Sequence, residues 1–207
     1  MLLTTVIAVA VLVKGYRAQT GERLAFEQRQ LITTFGRVAA NANDCANDII
    51  MQLNTDKRIS LIGIAQSTQS ERAGTEYMLG VAKNNLRLLP GINSINILLT
   101  NGFLYAAAEN KPISFSEISA ETCDKIMRAC TTTKGCFVRL GNAGYNVDSL
   151  FYCKQLRDIT TNYTVGMVYL ELLPETLARY CQTGVGSAVV LTDDTGEVIV
   201  TTMDIGI

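Results

Sequence analysis

The side chains able to do chemistry are six cysteines, an adjacent Asp193–Asp194 pair, and Tyr, Arg and Lys residues on strand-like runs, in a 207-residue chain with no histidine. Without imidazole there is no His-activated nucleophile, no His metal ligand and no phosphorylated His within the chain. No Cys-x-x-Cys occurs, so a thiolate metal centre would need four sulfurs gathered from scattered positions. Asp193 and Asp194 stand before Thr195-Gly196, the composition of a hairpin turn, and too few oxygen ligands lie nearby in sequence for a calcium loop. The residues therefore point to no catalytic group, no metal and no cofactor. A net charge of −1 without a basic run removes the electrostatic footprint of a nucleic-acid binder.

Recognition and cross-linking remain. Tyr105, Arg139, Tyr145, Tyr152 and Lys154 fall on strands or beside a long loop, where polar groups can converge on a ligand over a rigid sheet. An Arg grips a carboxylate or phosphate with two prongs, a Lys acts as a point charge, and Tyr stacks or donates. The competing reading makes Arg139 and Lys154 solvent-facing strand residues and the tyrosines half-buried filler, because alternation turns every second side chain outward. For the cysteines, runs 136–140 and 149–156 flank the polar loop GNAGYNVD. If Leu140 faces Ser149 across it, antiparallel counting sets Cys136 opposite Cys153, a candidate disulfide whose alternative is two buried thiols. Cys123 and Cys130, seven apart on an expected helix, are separated by roughly 10 Å along the axis and cannot bond each other.

Several elements must position these groups. Residues 149–173 hold two apolar runs of strand length around a Thr- and Asn-rich turn, the pattern of a central antiparallel hairpin, and Gly166 in the second run suits a bulge or a close backbone approach. Asn162-Tyr163-Thr164 in that turn matches the glycosylation acceptor triplet, a pattern frequent by chance. At the start, Leu2 to Val13 is uncharged and is followed by Lys14, Tyr16 and Arg17, as at the end of a membrane helix. The run is shorter than the roughly 30 Å of hydrocarbon to be crossed, so residues 1–17 are read as part of a transmembrane span. From residue 20 to about 67, Leu24, Leu31, Val38 and Cys45 form one helical seam and Phe35, Ala42 and Ile49 another. Gln28, Gln52 and Asp56 interrupt the stripe, which fits a helix on a sheet face, with a homodimer contact as the sharper reading. A second helix over 75–89 stops at Pro90-Gly91. Asn101-Gly102 then marks a hairpin within 92–108. A helix is expected over 116–130, another over 174–182, and a final strand–turn–strand unit from residue 187 repeats the layout of 92–108.

This order, with VGMVYLELLPETLARYC followed by VVLTDDTGEVIVTT, resembles the extracytoplasmic Cache sensor domains, and most of all the double-Cache sensors of bacterial membrane histidine kinases of the YesM type. The resemblance covers most of the chain as a pattern of elements; its most specific residues are Gly166, the apolar run after it, and 193–196. It implies an α+β fold, a long N-terminal helix packed on an antiparallel PAS-like sheet. Residues 18–91 would be the helical part, 92–183 a membrane-distal module, and 184–207 the start of a second module. The function implied is that of a two-component receptor's exterior at the cell membrane, dimeric, binding a small molecule and signalling to a cytoplasmic kinase. A chemoreceptor, a cyclic-dinucleotide enzyme or an empty dimerisation module could use the same exterior. The Trp-containing amino-acid pocket of one Cache group cannot be carried over, since the chain has no Trp.

Overall fold

The computed structural model describes residues 2–56, 60–69, 72–89, 91–108, 130, 135–142, 147–172, 190–192 and 198–201. The helices expected over 116–130 and 174–182 lie outside these residues apart from Cys130, as does Tyr145.

Helix α1 (Leu2–Thr55) is continuous over 54 residues, about 80 Å at 1.5 Å per residue. The expected seams are buried where α1 meets the sheet: Val38, Ala42, Cys45, Ala46, Ile49 and Leu53 recur at helical spacing and face the core. The helix stops earlier than the expected residue 67, because a new helix, α2 (Leu61–Gln66), starts from a cap at Ser60, whose Oγ accepts the Gly63 N–H at 3.1 Å. Helix α3 (Arg72–Leu88) buries Met78, Val81, Ala82 and Leu86. Among the described residues no helix is long and apolar enough to cross a membrane.

Five antiparallel strands form the main sheet: β1 (Ile92–Leu99), β2 (Leu104–Ala108), β3 (Cys136–Asn142), β4 (Val147–Arg157) and β5 (Thr164–Leu172), in the order β2-β1-β5-β4-β3. Strands β6 (Val190–Thr192) and β7 (Val198–Thr201) pair separately, as the final strand–turn–strand pattern predicts. The Asn101-Gly102 hairpin is present, with Gly102 at φ +86°, a conformation in which glycine carries no Cβ penalty. Asn101 ties this turn to α2 by donating through Nδ2 to the carbonyls of Ile64 at 2.7 Å and Ser67 at 3.0 Å.

Because strand side chains alternate, each face of the sheet has its own partners. Ile95, Ile97, Tyr105, Ala107, Tyr152, Leu156, Val168 and Leu170 pack with the buried residues of α1 and α3. Phe151, Cys153, Met167 and Tyr169 form a second cluster with Cys130 on the opposite face. Gly166 behaves as its type foretells. It pairs with Leu99 on one side and with Leu156 on the other, beside a bulge in the β4–β5 ladder.

The turn between β4 and β5 is built on Asp158. Its Oδ1 accepts the backbone N–H of Thr160 at 2.9 Å, that of Thr161 at 2.8 Å and the Thr161 hydroxyl at 3.0 Å. Burial pushes the Asp158 carboxyl up, but the hydrogen bonds from Thr161, Thr160 and the Ile62 backbone outweigh it and hold the group below its ordinary value. A carboxyl depressed in the folded state stabilises the fold above its unfolded pKa, and that contribution is lost as pH falls through the folded value. Asp158→Asn should therefore lower the thermal midpoint near neutral pH and flatten the loss of stability below about pH 4, the ordinary range of an Asp carboxyl. Thermal melts of both proteins from neutral to acid check this. Parallel acid limbs would assign the effect to other carboxylates.

Candidate functional site

The sheet face turned away from the helices carries a row of polar groups in an otherwise apolar floor. Register places Ser94 beside Glu171 and Asn96 beside Tyr169, with Ala108 and Ala106 on the other side of Ser94 and Asn96. Ser94, Asn96 and Glu171 are all buried, Glu171 at 4% exposure. Glu171 Oε2 accepts the Ser94 hydroxyl at 2.6 Å and the Asn93 Nδ2 at 2.9 Å, and Ser94 Oγ in turn accepts Asn96 Nδ2 at 2.8 Å. The result is a chain of donors that ends on one carboxyl oxygen. Among the described residues, Asn96 Oδ1 is buried without a hydrogen-bond partner. Burying an amide acceptor unpaired costs about 1–3 kcal/mol, so its neighbourhood is one where a donor would be favourable.

A buried carboxyl against an unsatisfied acceptor suits a group rich in N–H donors, above all a protonated amine, which offers three. The neighbouring Ala106 and Ala108 are small side chains that flank Asn96 and Ser94 across the β1–β2 ladder. Strand β1 reads Ile92-Asn93-Ser94-Ile95-Asn96-Ile97 and β5 ends Leu170-Glu171-Leu172. The signal in sequence was a set of polar residues at period two inside apolar strands, which the reading built on Tyr, Arg and Lys passed over.

The residues singled out from sequence lie elsewhere. Tyr105, Tyr152 and Lys154 are buried on the helix side of the sheet. Tyr152 Oη and Lys154 Nζ both donate to Asn43 Oδ1 of α1, at 3.0 and 2.7 Å. They are brought together, but by the helix. Burial lowers the Lys154 pKa and Asp44 raises it in part, while burial pushes the Tyr152 phenol up. The exposed-strand reading of Lys154 does not match this placement: at 3% exposure it is a buried cation whose head meets α1. The Tyr105 hydroxyl has no hydrogen-bond partner among the described residues, and Tyr105 lies in the cluster on the helix side of the sheet, paired with Ile97. Arg139 occupies the β3 position paired with Leu150. A second polar link reinforces the first. Asn54, near the end of α1, donates to the Arg157 carbonyl at 2.9 Å and accepts the Ile159 N–H at 2.9 Å, clasping the β4–β5 turn.

Strand β3 pairs with β4 in the register read from sequence, Leu140 facing Ser149 and Cys136 facing Cys153. The expected Cys136–Cys153 bridge is not formed; both residues are thiols, as are Cys45 and Cys130. Cys153 is enclosed with Phe151, Met167 and Tyr169, and the sulfur that approaches Cys136 belongs to Cys130. Among the described residues no group of three or more Cys, Asp or Glu is arranged to hold a metal.

No protein-family model matches the sequence, and no curated protein matches it. Solved structures do. The ligand-binding domain of the Campylobacter jejuni chemoreceptor Tlp3 in complex with L-norvaline aligns with TM-score 0.65 at 12% identity over 90% of this chain and 70% of that one. The periplasmic sensory domain of the C. jejuni chemoreceptor Tlp1 gives 0.59 at 12% over 90% and 74%. The sensor domain of the Vibrio cholerae histidine kinase DctB gives 0.58 at 15% over 89% and 69%. At these identities the likeness is one of fold. This chain shares the α+β fold of these domains, and its described residues place a five-stranded antiparallel sheet under a long helix.

Proposed function

We propose that the chain is the extracytoplasmic ligand-sensing region of a membrane-anchored receptor, binding a small molecule that carries a protonated amine. The buried Ser94–Asn96–Glu171 row carries this reading, because it supplies a carboxyl and an open acceptor on the sheet face that no described helix covers. A sensor needs that division of faces: recognition on one, and on the other a rigid rod leading to the membrane. The shared fold with the Tlp3 domain, solved with L-norvaline, is in keeping with an amine-bearing ligand. Binding without catalysis is the activity proposed, and the output is a two-component histidine kinase, with a chemoreceptor as the alternative given both kinds of neighbour. Anchoring is assigned to the apolar start of α1 and homodimerisation to its upper part, where Phe26 is 67% exposed.

A thermal-shift screen of the full chain in detergent tests the reading with amino acids, simple amines, amine-free organic acids and sugars. A ligand at 100 times its dissociation constant adds about 2.7 kcal/mol of stability. Stabilisation by amine-bearing compounds alone is the expected result. Stabilisation by amine-free acids alone would move the site to the basic groups Arg139 and Lys154.

A further inference from the structure

Cys130 and Cys136 stand six apart in the stretch Cys-Thr-Thr-Thr-Lys-Gly-Cys, and their sulfurs lie 2.8 Å from each other. That is longer than the ~2.05 Å of a bond and well inside the ~3.5–4.0 Å at which unbonded heavy atoms rest. Three further contacts hold the pair in place. Gln155 Nε2 donates to the Cys130 carbonyl at 2.6 Å, and the Cys130 thiol donates to the Cys153 carbonyl at 3.3 Å. Gly135 then lets the chain pass against β4, since a Cβ there would collide with the Tyr152 ring and come within 2.6 Å of the Cys153 carbonyl oxygen. Cys153, across the ladder from Cys136, is wholly buried, whereas Cys136 is partly open to solvent.

We infer that Cys130 and Cys136 are a disulfide-forming site that covalently fixes residue 130 to the edge strand β3. The oxidant is a disulfide of the glutathione class or a protein dithiol oxidase. The Cys136 thiolate attacks one sulfur of that disulfide and expels its partner thiolate; the Cys130 thiolate then attacks the Cys136 sulfur and expels the second. Two protein thiols and one oxidant disulfide become one protein disulfide and two oxidant thiols. The hydrogen bond to Cys130, together with burial, raises the Cys136 thiol well above its ordinary value, so exchange in the folded protein is slow at neutral pH and faster in mild alkali. Cys153 is raised by burial as well, and takes no part. In the sequence Cys130 lies near the end of the connection between the sheet's two edge strands, β2 and β3, so the bond would tie residue 130 to β3.

The test needs neither a ligand nor the sensor reading. The full chain, reduced and purified in detergent, is incubated with oxidised glutathione in mild alkali, unfolded in an alkylating agent and digested with trypsin. Cleavage after Lys134 separates the Cys130 peptide from the Cys136 peptide unless a bridge joins them. The expected result is one joined pair, lighter by two hydrogens than its separate peptides, with Cys45 and Cys153 alkylated; Cys153→Ala should leave it intact. A Cys136–Cys153 peptide pair, a lasting glutathione adduct on Cys136, or alkylation of both Cys130 and Cys136 would each overturn the assignment.

Discussion

Gly166→Ala should strongly destabilise the sheet. A Cβ at this position would run into the Leu98 carbonyl oxygen and stand 3.0 Å from Leu99 Cα, and both are backbone atoms of the neighbouring central strand. Nothing there can rotate away, so strand β1 or β5 must shift and the ladder between them must lengthen. Overpacking against atoms that can give way costs 1–3 kcal/mol, and here the expected loss is about 3 kcal/mol or more. For a chain of this size that is a fall in Tm of roughly 6–12 °C. Gly80→Ala is the matched control: it adds the same methyl to α3, where a Cβ would meet nothing within 4 Å. Replacing a partly exposed helical glycine gains up to about 1 kcal/mol, so the two variants should move Tm in opposite directions. Equal shifts would mean that β1 and β5 are not held as tightly as this register demands.

The second large effect concerns Glu171. Glu171→Gln keeps the shape and an oxygen to accept from Ser94 and Asn93, but removes the charge proposed to meet the ligand's amine. Removing one member of a buried charged pair costs 2–5 kcal/mol, so affinity for an amine-bearing ligand found in the screen should fall about 100-fold, close to 3 kcal/mol. Without ligand, the variant should melt at the same temperature or higher, because a buried charge has been taken out of the core. Calorimetric titration gives the first quantity and a melt of the apo protein the second. Unchanged affinity would remove Glu171 from the site. Lower apo stability with lower affinity would make it a structural residue.

The contrast between these positions explains what the sequence could and could not convey. The Gly166 constraint, the Asn101-Gly102 hairpin and the pairing of Cys136 with Cys153 were legible because each depends on local chemistry or on counting from a short loop. The face on which a side chain lies was not legible in β4. There Phe151, Tyr152, Cys153 and Lys154 are all buried, so polarity does not alternate and cannot mark the inside. Lys154 and Tyr152 were therefore read toward a pocket, whereas Asn43 of α1, more than a hundred residues earlier, receives both. The Ser94–Asn96–Glu171 row depends on the β1–β5 pairing, which joins segments 77 residues apart and is settled only when the sheet closes. The boundary of α1 was missed for a smaller reason: periodicity continues through Leu61 and Ala65, and the Ser60 cap that starts a new helix has no strong signature of its own.

Asn43 carries a further consequence. One amide oxygen on α1 holds two donors of β4, and the residues between and beside them, Phe151 and Cys153, face the opposite side of the sheet. Strand β4 is thus a shared wall. Any work that an occupant of the far face does on this strand is work done on the helix, and the exchange runs both ways with the same coupling free energy. A cross-link or partner that holds α1 in one position must then change the affinity for that occupant by the factor by which the occupant biases α1. The domain can accordingly be interrogated from its helix end, with binding as the readout.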